Sequence, residues 1–347
     1  MRKRGGPATI RDVAKRAGVS TATVSRVLAG IGNPKAETAD AVIAAVDALD
    51  YRPSAVARSL RMRRTNTFGL IVTDIQNPFF PELVQAADDA ARAVGYSILL
   101  GSAAFDEHRA VHYLSLMADR RVDGMIVASS QVSDESWQWL SDSPVPVVVV
   151  NAEPANVPIN VITSDNAGGM RLAAEHLIGL GHRRMAYVRA VGGITADKPR
   201  LEGFRAACQG AGIPAADIVE LHGDAQFDGG ERAATELLAS GTDVTAIACH
   251  NDVTAIGAMR ALRAARVRVP QEISIVGCDD IAAASWVVPS LTTVAQQKAE
   301  MGRMAVDRLL AMLDAGEGGI APETIRVPMV LRIRESTGAA PTGGAEA

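Results

Sequence analysis

Residues 9 to 28 read TIRDVAKRAGVSTATVSRVL, and their pattern decides how the chain begins. Thr9 can cap a helix starting at Ile10, in which Ile10, Val13, Ala14 and Ala17 recur at the i, i+3, i+4, i+7 spacing of one helical face. Gly18 ends it, because the left-handed residue that closes a helix is usually glycine. Ser20 then caps a second short helix that turns Val24, Val27 and Leu28 inward and leaves Thr21, Ala22 and Arg26 outside. A third helix is predicted over Glu37 to Leu49, with Ala39, Val42, Val46 and Leu49 on one face. Lys35 and Ala36 stand where a serine or threonine cap would help. Two helices across a tight turn, closed by a third, make a small all-α helix-turn-helix module.

Charge sets this head apart from the body. Residues 1–64 hold 13 Lys/Arg against 5 Asp/Glu, a net of +8, whereas the remainder holds 22 against 34, a net of −12. A basic head on an acidic body implies that only the head meets a polyanion. After it come Tyr51-Arg-Pro-Ser54 and Ala55 to Leu60, a possible helix of one to two turns, too short to be stable without a partner.

From Phe68 onward the texture changes to apolar strands alternating with amphipathic helices, the signature of a parallel α/β sheet. Strands are predicted at Phe68–Thr73, Ser97–Gly101, Gly124–Ala128 and Val145–Asn151, then at Met185–Val191, Ile218–His222, Ala246–His250 and Ile273–Gly277. Helices fit between them, for instance Pro81–Val94, Gly168–Leu180, Arg200–Ala211 and Val253–Ala264. Two similar sets of four imply two similar lobes. The chain is expected to cross between them near Asn156 to Asp165, near Ser290 to Gln296 and near a final strand at Thr324–Leu331, which makes the intervening cleft a hinge site. The resulting divisions are a basic N-terminus over 1–8, the helix-turn-helix module over 9–52, a hinge and linker over 53–66, a two-lobed unit over 67–337 and a disordered Gly/Ala/Pro-rich tail over 338–347.

The stretch from Thr9 to Leu28 closely resembles the lactose/galactose-repressor family of bacterial regulators. The likeness continues through Tyr51-Arg-Pro-Ser-Ala-Val-Ala-Arg-Ser-Leu60 and Ile71-Val-Thr-Asp-Ile-Gln-Asn-Pro-Phe-Phe80. It runs on through Gly181-His182, Arg200-Leu-Glu-Gly-Phe204, Asn251-Asp252, Val276-Gly-Cys-Asp-Asp280 and Leu291-Thr-Thr293, in the family's order. The resemblance implies a DNA-binding head and a periplasmic-binding-protein-like two-lobed sensor, joined by a hinge helix. For DNA it puts Thr21, Ala22 and Arg26 at base-reading positions in the major groove, with Ser20, Thr23 and Ser25 toward phosphates and Thr9 as a further DNA contact. Arginine can offer two parallel hydrogen bonds to a guanine edge, and the Thr and Ala methyls suit thymine; a phosphate contact or a solvated charge is the alternative for Arg26. In the hinge the resemblance singles out Ser54, Ala57, Arg58, Leu60 and Arg61. Leu60 takes the place of a wedge in the minor groove, or alternatively packs against the sensor. Paired hinge helices imply a homodimer on a near-palindromic duplex operator.

For the sensor the resemblance implies effector contacts at Asp74, Asn77, Phe79, Asn151, Asp165, Arg200, Asn251, Asp279 and Gln296. An aromatic face with convergent Asp, Asn, Arg and Gln suits a polyhydroxylated ligand, whose hydroxyls both donate and accept. A sugar or sugar derivative leads, and a purine acting as co-repressor is the rival. The loop Gly192-Gly-Ile-Thr-Ala-Asp197 supplies no arginine and departs from the purine branch. Ala225 stands where many relatives carry an aromatic ring, with Phe227 nearby to compensate, and Cys278 replaces a common tyrosine. The same residues also admit a structural account, in which Arg200 pairs with Asp279 and Asp74 or Asp165 caps a helix.

Other classes find less support. Cys208, Cys249 and Cys278 are odd in number and widely spaced, which fits buried thiols better than disulfides or a zinc module. His108 and His112 lie four apart without a third ligand. No cofactor, metal set or catalytic triad is suggested, so an enzyme is not expected. A solute receptor for uptake is opposed by the basic head and by the lack of a secretory signal. The expected location is the cytoplasm, with no membrane partner.

Overall fold

The computed structural model describes residues 8–28, 34–51, 64–129, 133–153, 157–316 and 319–341. The chain divides between Thr65 and Asn66 into two compact units.

The first unit contains α1 (Ile10–Ala17), α2 (Thr21–Leu28) and α3 (Ala36–Ala48). Its termini follow from local chemistry. The Asp12 carboxylate accepts hydrogen bonds from the Thr9 N–H and hydroxyl, at 2.8 and 2.7 Å. Gly18 ends α1 at φ +68°, and Ser20 Oγ accepts from the Thr23 N–H at 3.1 Å. Val13, Ala14, Val24, Val42 and Ala45 form the buried centre. The third helix starts one residue earlier than predicted, with Lys35 at its cap and no side-chain bond there. Ala45, not Ala39, is its buried alanine.

In the second unit, alternation of strands and helices builds two lobes. The first sheet has the order β2-β1-β3-β4-β5-β11 and the second β7-β6-β8-β9-β10-β12. The first-lobe strands are β1 (Thr67–Val72), β2 (Ser97–Ser102), β3 (Gly124–Ala128), β4 (Val147–Val150), β5 (Asn160–Ser164) and β11 (Thr324–Val327). The second lobe has β6 (Met185–Ala190), β7 (Ile218–Gly223), β8 (Ala246–Cys249), β9 (Ser274–Asp279), β10 (Thr292–Ala295) and β12 (Val330–Arg332). Pairing is parallel except for β10 with β12. Four strands per lobe were expected and six are found. The segments read as mere crossings, β5 and β10, are strands as well as links.

Helices cover both faces of each sheet, so the strands carry continuous apolar runs instead of alternation. In the first lobe α4 (Phe79–Ala93) and α11 (Lys298–Ala315) share one face, with Leu70, Val72, Leu83, Val148 and Leu309 in the core. On the other face, α5 (Glu107–Asp119) and α6 (Asp134–Ser141) bury Met117, Trp137 and Val149. The second lobe sandwiches its sheet between α7 (Asn166–Gly179) with α8 (Asp197–Gly210) and α9 (Phe227–Ala239) with α10 (Asp252–Ala264). These pairs approach backbone to backbone. A Cβ added to Gly203 would lie 2.0 Å from the Ala167 carbonyl oxygen, and one on Gly230 would lie 2.0 Å from that of Thr254.

Three crossings join the lobes: Asp165 between β5 and α7, Gln296–Gln297 between β10 and α11, and Pro328–Met329 between β11 and β12. The single final strand of the sequence reading is thus broken at Pro328, whose missing N–H cannot serve a ladder, and its halves join different sheets. The tail also departs from expectation. Gly338 N–H donates to Ser274 Oγ at 3.1 Å, and Ala340 N–H to the Leu180 carbonyl at 2.8 Å, so order extends past Thr337. His182 reinforces this strap, with Nε2 3.1 Å from the Gly338 oxygen and Nδ1 2.8 Å from Thr245 Oγ1. All three cysteines are free and buried, as their spacing suggested. No described helix is long and apolar enough to cross a membrane.

Candidate functional site

Both parallel sheets point the C-terminal ends of their strands at the shared cleft, where an α/β fold gathers loops and helix N-termini. The first lobe contributes Asn77, Phe79 and Phe80 from the turn into α4, Phe105 after β2, and Asn151 at the end of β4. Ile194, Ala196, Arg200, Ala225, His250, Asn251 and Asp279 come from the second lobe, and Gln296 from a crossing. Between them remains a void of about 30 Å³. A larger cavity of about 470 Å³, lined by Thr73, Phe105 and Ser129 of the first lobe and by Gly192 and Gly193 of the second, adjoins it at Phe105.

Sequence reasoning anticipated seven of these side chains: Asn77, Phe79, Asn151, Arg200, Asn251, Asp279 and Gln296. Two others it placed here do not line the cleft. Asp165 is exposed and caps α7, its Oδ1 accepting from the Gly168 N–H at 3.0 Å. Asp74 serves the turn before α4, its Oδ1 accepting from the Gln76 N–H at 3.0 Å. In both cases a short carboxylate beside unpaired backbone donors satisfies the backbone first.

On the second-lobe side the cleft floor is an interlocked polar network. Arg200, 3% exposed, donates Nε–H to Asn166 Oδ1 at 2.8 Å and Nη1–H to the His250 carbonyl at 2.5 Å. Its Nη2 lies 3.6 Å from Asp279 Oδ1, and the same oxygen accepts from Gln296 Nε2 at 2.6 Å. Gln296 Oε1 in turn accepts from Ser164 Oγ at 2.6 Å. Burying a guanidinium requires such compensation, because a desolvated unpaired charge costs several kcal/mol. Asn251 is also committed: its Oδ1 caps α10 by accepting from the Thr254 N–H, and its Nδ2 donates to the Ala225 carbonyl.

Sequence reasoning missed His250, Asp197 and Asn166. Asp197 accepts from the Ala190 N–H at 2.8 Å and from Arg189 at 2.8 and 3.0 Å, and its Oδ1 lies 3.4 Å from His250 Nδ1. Burial would raise this carboxyl, but His250, the Ala190 N–H and Arg189 outweigh it and hold the group below its ordinary range. Burial and then the Arg200 charge lower His250, which keeps the imidazole neutral. A usable signal was Arg189, a cation one residue before the end of β6 that needs an anion. Asp252, beneath the floor, is raised to about 7 by burial and by the Asp279 charge.

The first-lobe wall is different in kind. Phe79 and Phe80 meet edge to face at 5.1 Å, and Asn77 Oδ1 is used on the Phe79 N–H. Asn151, 7% exposed and held at φ +63°, has a buried Oδ1 with no hydrogen-bond partner. An aromatic wall carrying an unsatisfied acceptor opposite a charged floor can hold a small molecule with donors along its edge.

In the head, Thr21, Ala22 and Arg26 lie on the exposed side of α2. Thr9 and Ser20 are exposed, while Thr23 and Ser25 are half-buried; Ser20 and Thr23 hydroxyls hydrogen-bond each other at 2.9 Å. Ser54, Ala57, Arg58, Leu60 and Arg61 fall outside the described residues.

Residues 9–54 match the model for bacterial regulatory proteins of the lacI family, and residues 174–337 match the periplasmic binding protein-like domain. The HTH-type transcriptional repressor PurR of Haemophilus influenzae (strain PittEE) is 37% identical over 314 residues, covering 90% of this chain and 93% of that protein. The chain belongs to the lacI family. The ribose operon repressor of Escherichia coli (strain K12) is also 37% identical, over 87% of this chain and 92% of its own length. A crystal structure of the lac repressor dimer bound to operator and an anti-inducer superposes with a TM-score of 0.86 at 29% identity, covering 96% of this chain and 100% of that one. This lacI-family chain is thus a DNA-binding regulator of transcription under small-molecule control, and its two-lobed sensor has the periplasmic-binding-protein-like fold.

Proposed function

We propose that the chain is a cytoplasmic repressor that binds a near-palindromic operator as a homodimer and releases or grips it according to a sugar held between the lobes. Thr21, Ala22 and Arg26 read bases, Thr9, Ser20, Thr23 and Ser25 meet phosphates, and Ser54, Ala57, Arg58, Leu60 and Arg61 form the hinge contact. Asn77, Phe79, Asn151, Arg200, Asn251, Asp279 and Gln296 face the sugar. The observation that carries this reading is the pairing of unpartnered Asn151 Oδ1 with the Arg200–Asp279–Gln296 floor. A sugar hydroxyl donates to the amide oxygen while its neighbours exchange hydrogen bonds with groups that otherwise bond one another. The likeness to a ribose operon repressor supports the same class.

The dimer has a physical motive as well. Trp286 and Val288, 75% and 84% exposed, are the most exposed large apolar side chains among the described residues, and covering them removes an apolar patch from water.

A purine is the second reading, favoured by the PurR likeness. Against it, the second-lobe wall offers Ile194, Ala196 and Ala225 where a flat base would seek an aromatic partner. Melting curves with D-ribose, hexoses and purine bases separate the two, since a cleft ligand raises the midpoint by mass action. Operator titrations with and without the stabilising compound then give the sign of control, because linkage makes each ligand change the other's affinity by one factor. Equal operator affinities in the two titrations would reject effector control by that compound.

A further inference from the structure

We infer that Lys298 is a positioning residue of the effector cleft: it clamps the backbone of the Asp279–Asp280 turn in one lobe to helix α4 of the other. The inference rests on the sugar-cleft reading only for what Asp279 finally contacts. Lys298 opens α11, directly after the Gln296–Gln297 crossing, and is 3% exposed. Its Nζ donates to the Asp279 carbonyl at 2.6 Å and the Asp280 carbonyl at 2.9 Å, and stands 3.2 Å from Glu82 Oε2 on α4. An ammonium has three donors, so the two lobes between them take all three.

The location is costly on every local count. A cation at a helix N-terminus opposes the helix dipole, and a buried ammonium loses its hydration. An apolar residue would serve the packing of α11 against α4 without either penalty. What the ammonium provides is a fixed point for a strained turn: Asp279 and Asp280 have φ of +125° and +54°, values that non-glycine residues rarely adopt. Strain of this kind persists only where the surroundings hold it. Lys298 grips the two carbonyls, and Arg334 Nη2 grips the Asp280 carboxylate. The Asp279 side chain thus projects from a clamped backbone toward Arg200 and Gln296. Because the third donor reaches Glu82 on α4, a rotation of the first lobe pulls on the turn, and ordering of the turn by a ligand pulls on α4.

Peptide-resolved amide hydrogen exchange on the ligand-free full chain tests the clamp. Lys298→Met should speed exchange in residues 277–284 by about tenfold or more while leaving α9, in the same lobe, unchanged, and Lys298→Arg should recover part of the protection. Glu82→Gln removes only the first-lobe leg, from a half-exposed carboxylate, and should speed the same second-lobe segment by about threefold. Unaltered exchange at 277–284 in Glu82→Gln would overturn the clamp, as would a uniform rise across the second lobe in Lys298→Met. Should Lys298→Met fail to fold, Glu82→Gln still decides. In a separate arm with D-ribose as probe, a measurable midpoint shift in the wild type should shrink in Glu82→Gln. No shift in any variant would count against the sugar reading and leave the exchange result standing.

Discussion

The two lobes share a six-stranded topology, yet they meet the cleft with opposite chemistry. The second lobe presents a floor of charges that bond one another, with His250 Nδ1 left without a hydrogen-bond partner, on helices packed so closely that only glycine fits at Gly203 and Gly230. The first lobe presents Phe79, Phe80 and Phe105 with one open acceptor on Asn151. One wall is assembled before the ligand arrives, and the other is left incomplete. Repetition of a fold therefore did not repeat a site. A preset polar wall fixes ligand orientation at little entropic cost, and the aromatic wall adds area and closes over it.

The strongest way to break this contrast is to remove the centre of the preset wall. Arg200→Met should lower stability by about 3–5 kcal/mol, since Asp279 is left buried without its cation, and should abolish sugar binding; denaturant unfolding and calorimetry report the two effects. A mutant of unchanged stability would mean the floor is not preassembled. Gly203→Ala should cost about 1–3 kcal/mol by forcing α7 and α8 apart, whereas Gly179→Ala, which meets nothing within 4 Å, should change the unfolding midpoint little.

The incomplete wall should behave the other way round. Asn151→Gly suits the positive φ and should shift stability by less than about 1 kcal/mol, yet weaken ligand binding by about tenfold, the value of one good hydrogen bond. An unchanged affinity by calorimetry would remove the open acceptor from the site. The smallest effect concerns the tail strap, where burial lowers His176 and His182 from the ordinary 6.5. Because the unfolded chain takes up these protons first, their contribution is present in full above that value and is lost as pH falls through the lowered ones. Melting points from about pH 8 to about pH 5 should fall, and His182→Asn should flatten the curve; a parallel curve would exclude His182 as a source.

Much of this was legible because local chemistry and tertiary packing agree. Thr9, Gly18 and Ser20 fixed the head helices, and the alternation of apolar runs with amphipathic stretches fixed eight strands. Strands β5 and β10 escaped notice because Asn160, Thr163, Ser164, Thr292 and Thr293 interrupt their apolar character while being fully buried. Most of their polar side chains find partners remote in sequence, such as Arg308 for Asn160 and Thr337 and the Arg334 N–H for Thr292, while Thr163 Oγ1 is buried without one. The cleft was legible where a residue type announces ligand chemistry, as with Arg200 and Asp279. It was illegible for Asp197 and His250, whose roles depend on contacts across strands. Asp74 and Asp165 misled because a carboxylate near a helix start serves backbone donors and ligands equally well on paper.

The split at Pro328 bears on how the protein is made. Since β11 and β12 are the last strands of their respective sheets, a nascent chain lacks the edge strand of the first lobe until Val327 has left the ribosome and that of the second until Arg332 has followed. Truncation after Val327 would remove β12 from the second sheet, and truncation before Thr324 would strip both. The lobes are therefore not separable modules along the gene, and completion of the sensor is a single late event.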